Sequence, residues 1–217
     1  MIALGLDPSI TGFGWVIHDS EGSGVARIVA RGHQGTSAKD IFVTRYMTLR
    51  ELVAKLLTDY PQIEVVGIES PTYGEQWSPG AYGLFLMVNE AVYLKRKNVI
   101  FFDPETVKML AKGDPKIRKG KMFKTDMVDA AKADTNLKGR LNHNEADAYL
   151  VAKFTARFWL FFYGKLVESD LTPSEHRAFA RVHTFSKGKR KDETIHPGAV
   201  FKEGKRFYQF SLLEPVK

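Results

Sequence analysis

Runs of apolar residues predict that the chain begins with three β-strands. Residues 2–7 (IALGLD) form an apolar run that ends on a carboxylate, and runs of β-forming residues follow at 13–18 and 25–32. Segments rich in Gly, Ser and Asp separate these runs, as turns do. The pattern therefore predicts two successive antiparallel hairpins.

The periodicity then changes to that of helices. From residue 38 to 60 apolar side chains recur at helical spacing, and Pro61 ends the segment. Residues 64–69 (EVVGIE) form a nearly continuous apolar run, typical of a buried central strand, which also ends on a carboxylate. The same criteria predict another strand at 99–102 and helices at 83–97, 105–111, 125–133 and 144–163. This order predicts an α/β domain with a mixed five-stranded sheet flanked by helices.

The composition changes after about residue 165. The remaining chain is polar and basic, with the run KGKRK at 187–191 and a hairpin-like segment at 199–210. We therefore expect the α/β domain to cover residues 1–165 and a basic C-terminal extension to cover residues 166–217. The sequence leaves the role of this extension open.

Composition limits the chemistry that the protein can perform. The 217 residues include 32 Lys and Arg against 25 Asp and Glu, and the resulting net charge of +7 favours an acidic partner such as nucleic acid. The absence of cysteine excludes a disulfide scaffold, a thiolate zinc site, an iron–sulfur cluster and a cysteine nucleophile. Any metal would therefore bind to oxygen or imidazole. The chain also contains no nucleotide P-loop, so no nucleotide cofactor is expected.

The apolar segments predict neither a signal peptide nor a membrane span. The chain begins MIALGLDPS, without the basic region of a secretory signal. The most apolar stretch, FWLFFY at 158–163, is far too short to cross a bilayer and is expected to be the core face of the last helix. We therefore expect a soluble, cytoplasmic protein.

Three acidic residues stand out by position. Asp7 ends the first strand, Glu69 ends the central strand, and Asp147 lies in the first turn of the last core helix. If the two strands are neighbours, Asp7 and Glu69 lie side by side, and a helix across the sheet could bring Asp147 over them. Such like charges stay ionised only when cations neutralise them, and oxygen ligands without thiolates favour Mg²⁺ or Mn²⁺. Two ions about 4 Å apart would stabilise both oxygens exchanged in phosphodiester hydrolysis.

Two of these acids also have a purely structural explanation. An Asp before proline commonly forms a turn, which applies to Asp7, and an acid in the first turn of a helix complements its dipole, which applies to Asp147. Glu69 has no such explanation, because it closes an apolar run in which burying a carboxylate is costly.

The residues before Asp147 leave the fourth ligand and the helix cap open. His143 and Asn144 share the helical face of Asp147, whereas Glu145 points away from it in a regular helix. At a helix start, where backbone angles are looser, His143 or Glu145 could supply a fourth ligand. Asn142 or Asn144 could be the N-cap.

Five blocks of this sequence resemble those of the RuvC-type Holliday-junction resolvases, especially their bacteriophage members, within the RNase H-like (retroviral integrase) nuclease superfamily. The order and spacing of the blocks match over about residues 1–165: GLDPSITGFGW (5–15), GIESP (67–71), TVKMLAKG (106–113), KTDMV (124–128) and NEADAYLVA (144–152). The resemblance implies an RNase H-like fold and a homodimer, with residues 83–97 as the interface helix. It also implies metal-dependent DNA hydrolysis with two ions per active site, Mg²⁺ or a substituting Mn²⁺.

The resemblance further implies which residues act. Asp7, Glu69 and Asp147 fall on the metal ligands of the family. Its fourth ligand usually stands three residues before the last Asp, where this chain departs from the pattern with Asn144. We favour Glu145 over the neighbouring His143 as the fourth ligand, because a carboxylate suits Mg²⁺ better.

The long basic loop is the expected contact to DNA. Lys124, after this loop, matches a catalytic lysine of the family and could stabilise the pentacovalent phosphate. The loop after Leu110 has one acid against six basic residues: Lys112, Lys116, Arg118, Lys119, Lys121 and Lys124. We expect these residues to contact backbone phosphates; the alternative is a solvated, mobile loop.

Three aromatic residues, Tyr73, Trp77 and Tyr82, follow the central acid in a loop rich in Gly and Pro. An exposed one could stack on bases at a branch point, or these residues could be packed anchors of the loop. The KGKRK run at 187–191 has a similar pair of explanations, since it could follow the DNA backbone or form a solvated turn.

The sequence therefore favours a structure-specific DNA endonuclease that resolves Holliday junctions and other branched DNA. The main alternative is a non-catalytic protein that binds branched or single-stranded DNA on the same scaffold, although pure binding gains nothing from three converging acids. An actin-like kinase would need a second domain of this type, for which the chain is too short. If the chain is phage-encoded, the expected location is the cytoplasm of the infected bacterium. Sequence preference and the choice among junctions, flaps and forks stay open.

Overall fold

A mixed β-sheet forms the centre of the protein. The computed structural model describes residues 1–20, 26–71, 78–113, 124–135 and 141–179, and the backbone of 183–184, 194–195, 199–202 and 205–208. The first five strands are β1 (Ile2–Asp7), β2 (Phe13–Ser20), β3 (Ala26–Gln34), β4 (Val65–Glu69) and β5 (Asn98–Phe102). They lie in the order β3-β2-β1-β4-β5, with β1, β2 and β3 antiparallel and β1, β4 and β5 parallel. The predicted mixed five-stranded sheet is therefore confirmed.

Helices cover both faces of this sheet. They are α1 (Phe42–Asp59), α2 (Pro79–Leu94), α3 (Pro104–Lys112), α4 (Lys124–Thr135), α5 (His143–Phe162) and α6 (Pro173–Phe179), with a short 3-10 helix at Glu168–Asp170. Side chains alternate along a strand, so Leu4 and Leu6 pack with α1 and α2, while Ala3 packs with α5 on the other face. No helix in the described part of the chain is long and apolar enough to cross a membrane.

Helix α5 lies unusually close to the strands beneath it. A Cβ on Gly5 of β1 would stand 2.1 Å from the carbonyl oxygen of Ala148, and a Cβ on Gly67 of β4 would stand 1.8 Å from the hydroxyl of Thr155. Neither position accepts a side chain, so these two glycines allow the close approach of helix and sheet. The same approach fixes the height of Asp147, the neighbour of Ala148, above the strand ends.

Helix α2 begins earlier than its hydrophobic pattern predicts. The expected start was residue 83, but the helix begins at Pro79. The hydroxyl of Ser78 accepts a hydrogen bond from the backbone N–H of Ala81, and Pro79 occupies the first helical position. This capping signal extends the helix through Gly80, a residue of low helix propensity.

The C-terminal extension adds two strands to the sheet. β8 (Ala199–Lys202) pairs with β5, and β9 (Lys205–Tyr208) pairs with β8, so the hairpin-like segment is found as two antiparallel strands. A separate pair is formed by β6 (His183–Thr184) and β7 (Thr194–Ile195). Helix α6 also packs on the core, where the ring of Phe179 lies 5.2 Å from that of Phe158 in α5. The domain boundary near residue 165 stays a prediction.

Candidate active site

The strand register places Asp7 beside Glu69. β1 and β4 are parallel neighbours with Gly5 opposite Gly67, so the acids two residues further along also lie opposite each other. Because side chains alternate, both acids belong to the face that α5 covers. Two strand ends thus position two carboxylates, as the sequence predicts for neighbouring strands.

Helix α5 brings Asp147 to the same place. The pKa of Glu69 lies well above its ordinary value, first because of burial and then because of the negative charges of Asp7 and Asp147. The three acids singled out in the sequence therefore interact in the folded chain. Within the described residues, no group of three acidic or histidine side chains is already close enough to hold one ion. Their role as metal ligands stays a prediction.

A small cavity lies beside two of these acids. It has a volume of about 160 Å³ and is lined by Asp7 and Glu69 together with Ser70, Phe85 of α2 and Pro104 of α3. Ser70 is fixed to the neighbouring strand, because its backbone N–H donates to the carbonyl oxygen of Phe102 at 2.8 Å. The carboxylates therefore face an opening that a small ligand or part of a substrate can enter.

The start of α5 is closed by a capping box. The side chain of Asn142 accepts a hydrogen bond from the N–H of Glu145 at 2.9 Å, and the carboxylate of Glu145 accepts one from the N–H of Asn142 at 3.2 Å. Of the two asparagines considered as caps, Asn142 is the one that caps. The same carboxylate lies 3.8 Å from the guanidinium of Arg31 and 3.9 Å from His33, both on β3.

These contacts place Glu145 apart from the acid cluster. Its carboxylate faces β3, whereas Asp147 acts on Glu69, as expected for residues two positions apart in a helix. Asn144 packs instead over the start of β2, because a Cβ on Gly14 would stand 2.1 Å from its carbonyl oxygen. The nearby His143 is exposed. The structure thus gives Glu145 a capping role, and its selection as the fourth ligand stays a prediction.

Sequence reasoning missed Lys108 as a neighbour of the acid cluster. Its positive charge opposes the rise in the pKa of Glu69, and its ammonium group lies 3.3 Å from the carboxylate of Glu105. No local signal in the sequence pointed to it: only the parallel pairing of β5 with β4 shows that the helix after β5 starts beside the end of β4. The N-cap Asp103 marks that start.

Several predicted DNA contacts lie outside the described residues. These are Tyr73 and Trp77 after β4, the run KGKRK at 187–191, and the loop residues Lys116, Arg118, Lys119 and Lys121. Lys124 begins α4, but the structure describes only its backbone. Lys112 is exposed in the last turn of α3. Contact of these residues with DNA stays a prediction.

Solved structures of Holliday-junction resolvases have a similar fold. RuvC of Thermus thermophilus in complex with a Holliday-junction substrate superimposes with a TM-score of 0.59 at 22% identity, covering 72% of this chain and 96% of that one. A second T. thermophilus RuvC structure gives a TM-score of 0.60 at 22% identity, covering 73% of this chain and 97% of that one. The yeast mitochondrial Holliday-junction resolvase Ydc2 gives 0.51 at 14% identity, covering 69% and 75%.

No family model matches the chain, and no curated protein sequence does. At these identities, the similarity to solved structures concerns the fold. It covers nearly the whole length of the T. thermophilus protein and agrees with the resemblance of the five sequence blocks. The chain has the RNase H-like fold of the RuvC-type Holliday-junction resolvases, and the predicted resemblance to them is confirmed at the level of the fold.

Proposed function

We propose that the protein is a metal-dependent endodeoxyribonuclease that resolves Holliday junctions and other branched DNA. The observation that carries this proposal is the convergence of Asp7, Glu69 and Asp147 on a resolvase-type fold, with the pKa of Glu69 raised by burial and by the two other charges. A protein that only binds DNA gains nothing from burying repelling carboxylates beside a polyanion. This electrostatic cost is typical of a site that needs a cation to function.

The residues present fit a hard divalent cation. All three donors are carboxylates, and the chain has no thiolate. Burial first and repulsion by Asp7 and Asp147 second raise the pKa of Glu69, and a bound cation would relieve the repulsion. Asp7, Glu69 and Asp147 would hold Mg²⁺ or Mn²⁺, two ions per site. When bound, such ions activate a water molecule and stabilise the leaving oxygen of a phosphodiester, which yields 3′-hydroxyl and 5′-phosphate ends.

Two lysines are proposed to act on the substrate phosphate. The charge of Lys108 opposes the rise in the pKa of Glu69, so it would favour the ionised carboxylate and would attract a DNA phosphate to the site. Lys124 is proposed to stabilise the charge that develops on the phosphorus oxygens. The basic residues of the loop from Lys112 to Lys124 would hold the DNA backbone, with Tyr73 and Trp77 at the branch point.

A homodimer would present two such sites to one junction. The surface of α2 supports this part of the proposal, because Leu86, Tyr93 and Leu94 are large, apolar and exposed. An apolar cavity of about 350 Å³ lies beside them, between α2 and Val99 and Phe101 of β5. We expect Tyr93→Arg to yield monomers in analytical ultracentrifugation, with Tyr163→Arg as the control on another exposed tyrosine. A dimer that persists in Tyr93→Arg would exclude this interface.

Binding and cleavage measured on the same preparations separate the nuclease from a non-catalytic DNA-binding protein. Wild type and Glu69→Gln should bind a labelled four-way junction in EDTA with similar affinity, and only wild type should cut it after Mg²⁺ or Mn²⁺ is added. Glu51→Gln, an exposed acid of α1, is the matched control and should cut like wild type. Tight binding by wild type without cleavage in either metal would favour the non-catalytic alternative.

A further inference from the structure

A second cavity lies at the edge of the sheet where β4 and β5 begin, whereas the acid cluster lies where the strands end. Its volume is about 580 Å³, within the usual range of small-ligand sites. It is formed where α1 and α2 lead into β4 and β5 and where α5 ends. Glu64 lines the cavity and Glu69 belongs to the acid cluster, and the strand between these two residues spans about 16 Å at about 3.3 Å per residue. The cavity is therefore distinct from the proposed active site.

The described residues that line this cavity carry an excess of positive charge. Arg96, Lys97 and Lys165 line it together with one acid, Glu64. The ammonium group of Lys97 donates to the carbonyl oxygens of Pro61 and Ile63 at 2.7 Å each, so this charge is already used to close the end of α1. Arg96 and Lys165 are exposed and form no ion pair within the described part of the chain.

Helix dipoles account for only part of this positive charge. α1, α2 and α5 all end at this edge, and each presents roughly half a negative charge at its C-terminus. Lys97 and the capping hydrogen bonds at the helix ends offset part of this negative charge. β8 also pairs with β5, with Phe201 opposite Val99, so the backbone of the C-terminal extension reaches the same edge. Of the lining residues that the structure describes, Arg96 and Lys165 are therefore the cations left to attract an anion.

An aromatic wall lies beside these cations. The ring of Tyr163 is 44% exposed and packs at 4.8 Å from Trp159 and at 5.3 Å from Phe162, so neighbouring rings hold it in place. Trp159 and Tyr163 both line the cavity. A held aromatic ring with an exposed face is a platform on which a nucleobase can stack. Arg96 and Lys165 stand within the same cavity, where they can reach a phosphate attached to that base.

From this combination we propose a nucleotide-binding site at the cavity formed by Arg96, Tyr163 and Lys165. The ligand is one nucleotide unit, with its base against Tyr163 and its phosphate between the two cations. The unit could belong to a single-stranded segment of DNA or be a free nucleoside monophosphate, since both offer the same chemistry. The site goes beyond the proposed nuclease activity, because binding here requires neither the carboxylates nor a metal.

The backbone of Arg96 determines which variant tests the site. Its φ of 51° lies in the left-handed region, and no other described residue except glycine has a positive φ. Asn tolerates this conformation better than most residues, so Arg96→Asn removes the charge without straining the turn. Tyr163→Ser removes the ring and Tyr163→Phe retains it. Lys55→Gln removes a cation from the exposed surface of α1 and serves as the control.

The test measures binding of a fluorescent six-nucleotide deoxythymidine strand by anisotropy, in EDTA. Tyr163→Ser should weaken binding at least fivefold, the lower limit for the loss of one stacked base, and Arg96→Asn should weaken it by at least as much. Tyr163→Phe and Lys55→Gln should bind like wild type. A strand that carries 5-iodouracil should crosslink under ultraviolet light to the peptide that contains Tyr163.

Competition identifies the source of the nucleotide. If thymidine monophosphate displaces the strand at similar concentrations, the site takes free nucleotides; if only oligonucleotides compete, it takes DNA strands, and either result supports the proposal. Unchanged affinity of both Arg96→Asn and Tyr163→Ser, with crosslinks only to other peptides, would overturn it. Because no metal is present, the nuclease proposal is unaffected by that outcome.

Discussion

His18 of β2 provides a quantitative test of the packing between the sheet and α5. Its side chain is 2% exposed, and within the described part of the chain neither ring nitrogen has a hydrogen-bond partner. Its ring packs edge-on against Tyr149 of α5 at 5.7 Å. Burial lowers the pKa of His18 from 6.5 to about 4; the charge of Lys153 also lowers it, while Asp134 and Asp19 act in the opposite direction.

The sign and the size of the effect follow from these two pKa values. The unfolded chain binds a proton below about pH 6.5, whereas the folded chain resists protonation until about pH 4. The free energy of unfolding therefore falls as the pH is lowered between these values and is unaffected above pH 7. At 1.36 kcal/mol per pH unit, the loss due to His18 reaches about 2.5 kcal/mol at pH 4.5.

His18→Phe isolates this contribution. Phe keeps an aromatic ring beside Tyr149 and cannot be protonated. Urea unfolding of both proteins at pH 7.5, 6.0, 5.0 and 4.5 should show that wild type loses about 2.5 kcal/mol more than the variant over this range. His143→Phe, at an exposed position, is the control and should retain the behaviour of wild type. If His18→Phe loses as much stability as wild type, the histidine is not held neutral in the core.

Three further predictions concern the candidate site and its supports. Glu69→Gln should melt a few degrees above wild type in EDTA, at about 2–4 °C per kcal/mol for this size, because a buried and repelled charge is removed; an unchanged melting temperature in calorimetry would contradict this. Gly14→Ala should displace the start of α5, because its Cβ would stand 2.1 Å from the carbonyl oxygen of Asn144. Single-turnover cleavage should fall by roughly 10²-fold with junction binding retained, and an unchanged rate would refute the close contact. Asn142→Ala should cost about 1 kcal/mol in urea unfolding, whereas Glu145→Gln should retain stability, because an amide oxygen can still accept the capping hydrogen bond. Loss of cleavage alone in Glu145→Gln is expected if Glu145 is also the fourth ligand, and unchanged cleavage would contradict that assignment.

The fold and the three acids could be predicted because their signals are local. One strand ends on Asp7, and a buried strand ends on Glu69. If the two strands are neighbours, as they are in the structure, their carboxylates come together. The sequence shows Gly5 and Gly67, but it does not show that α5 packs against them. Only the distance between Gly5 and Ala148 shows why no side chain fits there.

What could not be predicted depends on contacts between distant segments or on competition between local signals. The pairing of β8 with β5 joins residues about 100 positions apart, and no local pattern encodes it. Lys108 looks like an ordinary surface residue of an amphipathic helix until the parallel pairing of β4 and β5 places that helix beside Glu69. Glu145 matches a metal ligand and a capping residue equally well in sequence, and the geometry favours capping.

The central claim is that Asp7, Glu69 and Asp147 form a metal-dependent site that cuts branched DNA. Single-turnover cleavage of a labelled four-way junction by wild type and by Asp7→Asn, in Mg²⁺ and with the product ends analysed, tests this claim most directly. We predict symmetric cuts by wild type that leave 5′-phosphate ends, sealable by DNA ligase, and no cuts by Asp7→Asn at equal junction occupancy. Equal cleavage by the two proteins would contradict the account.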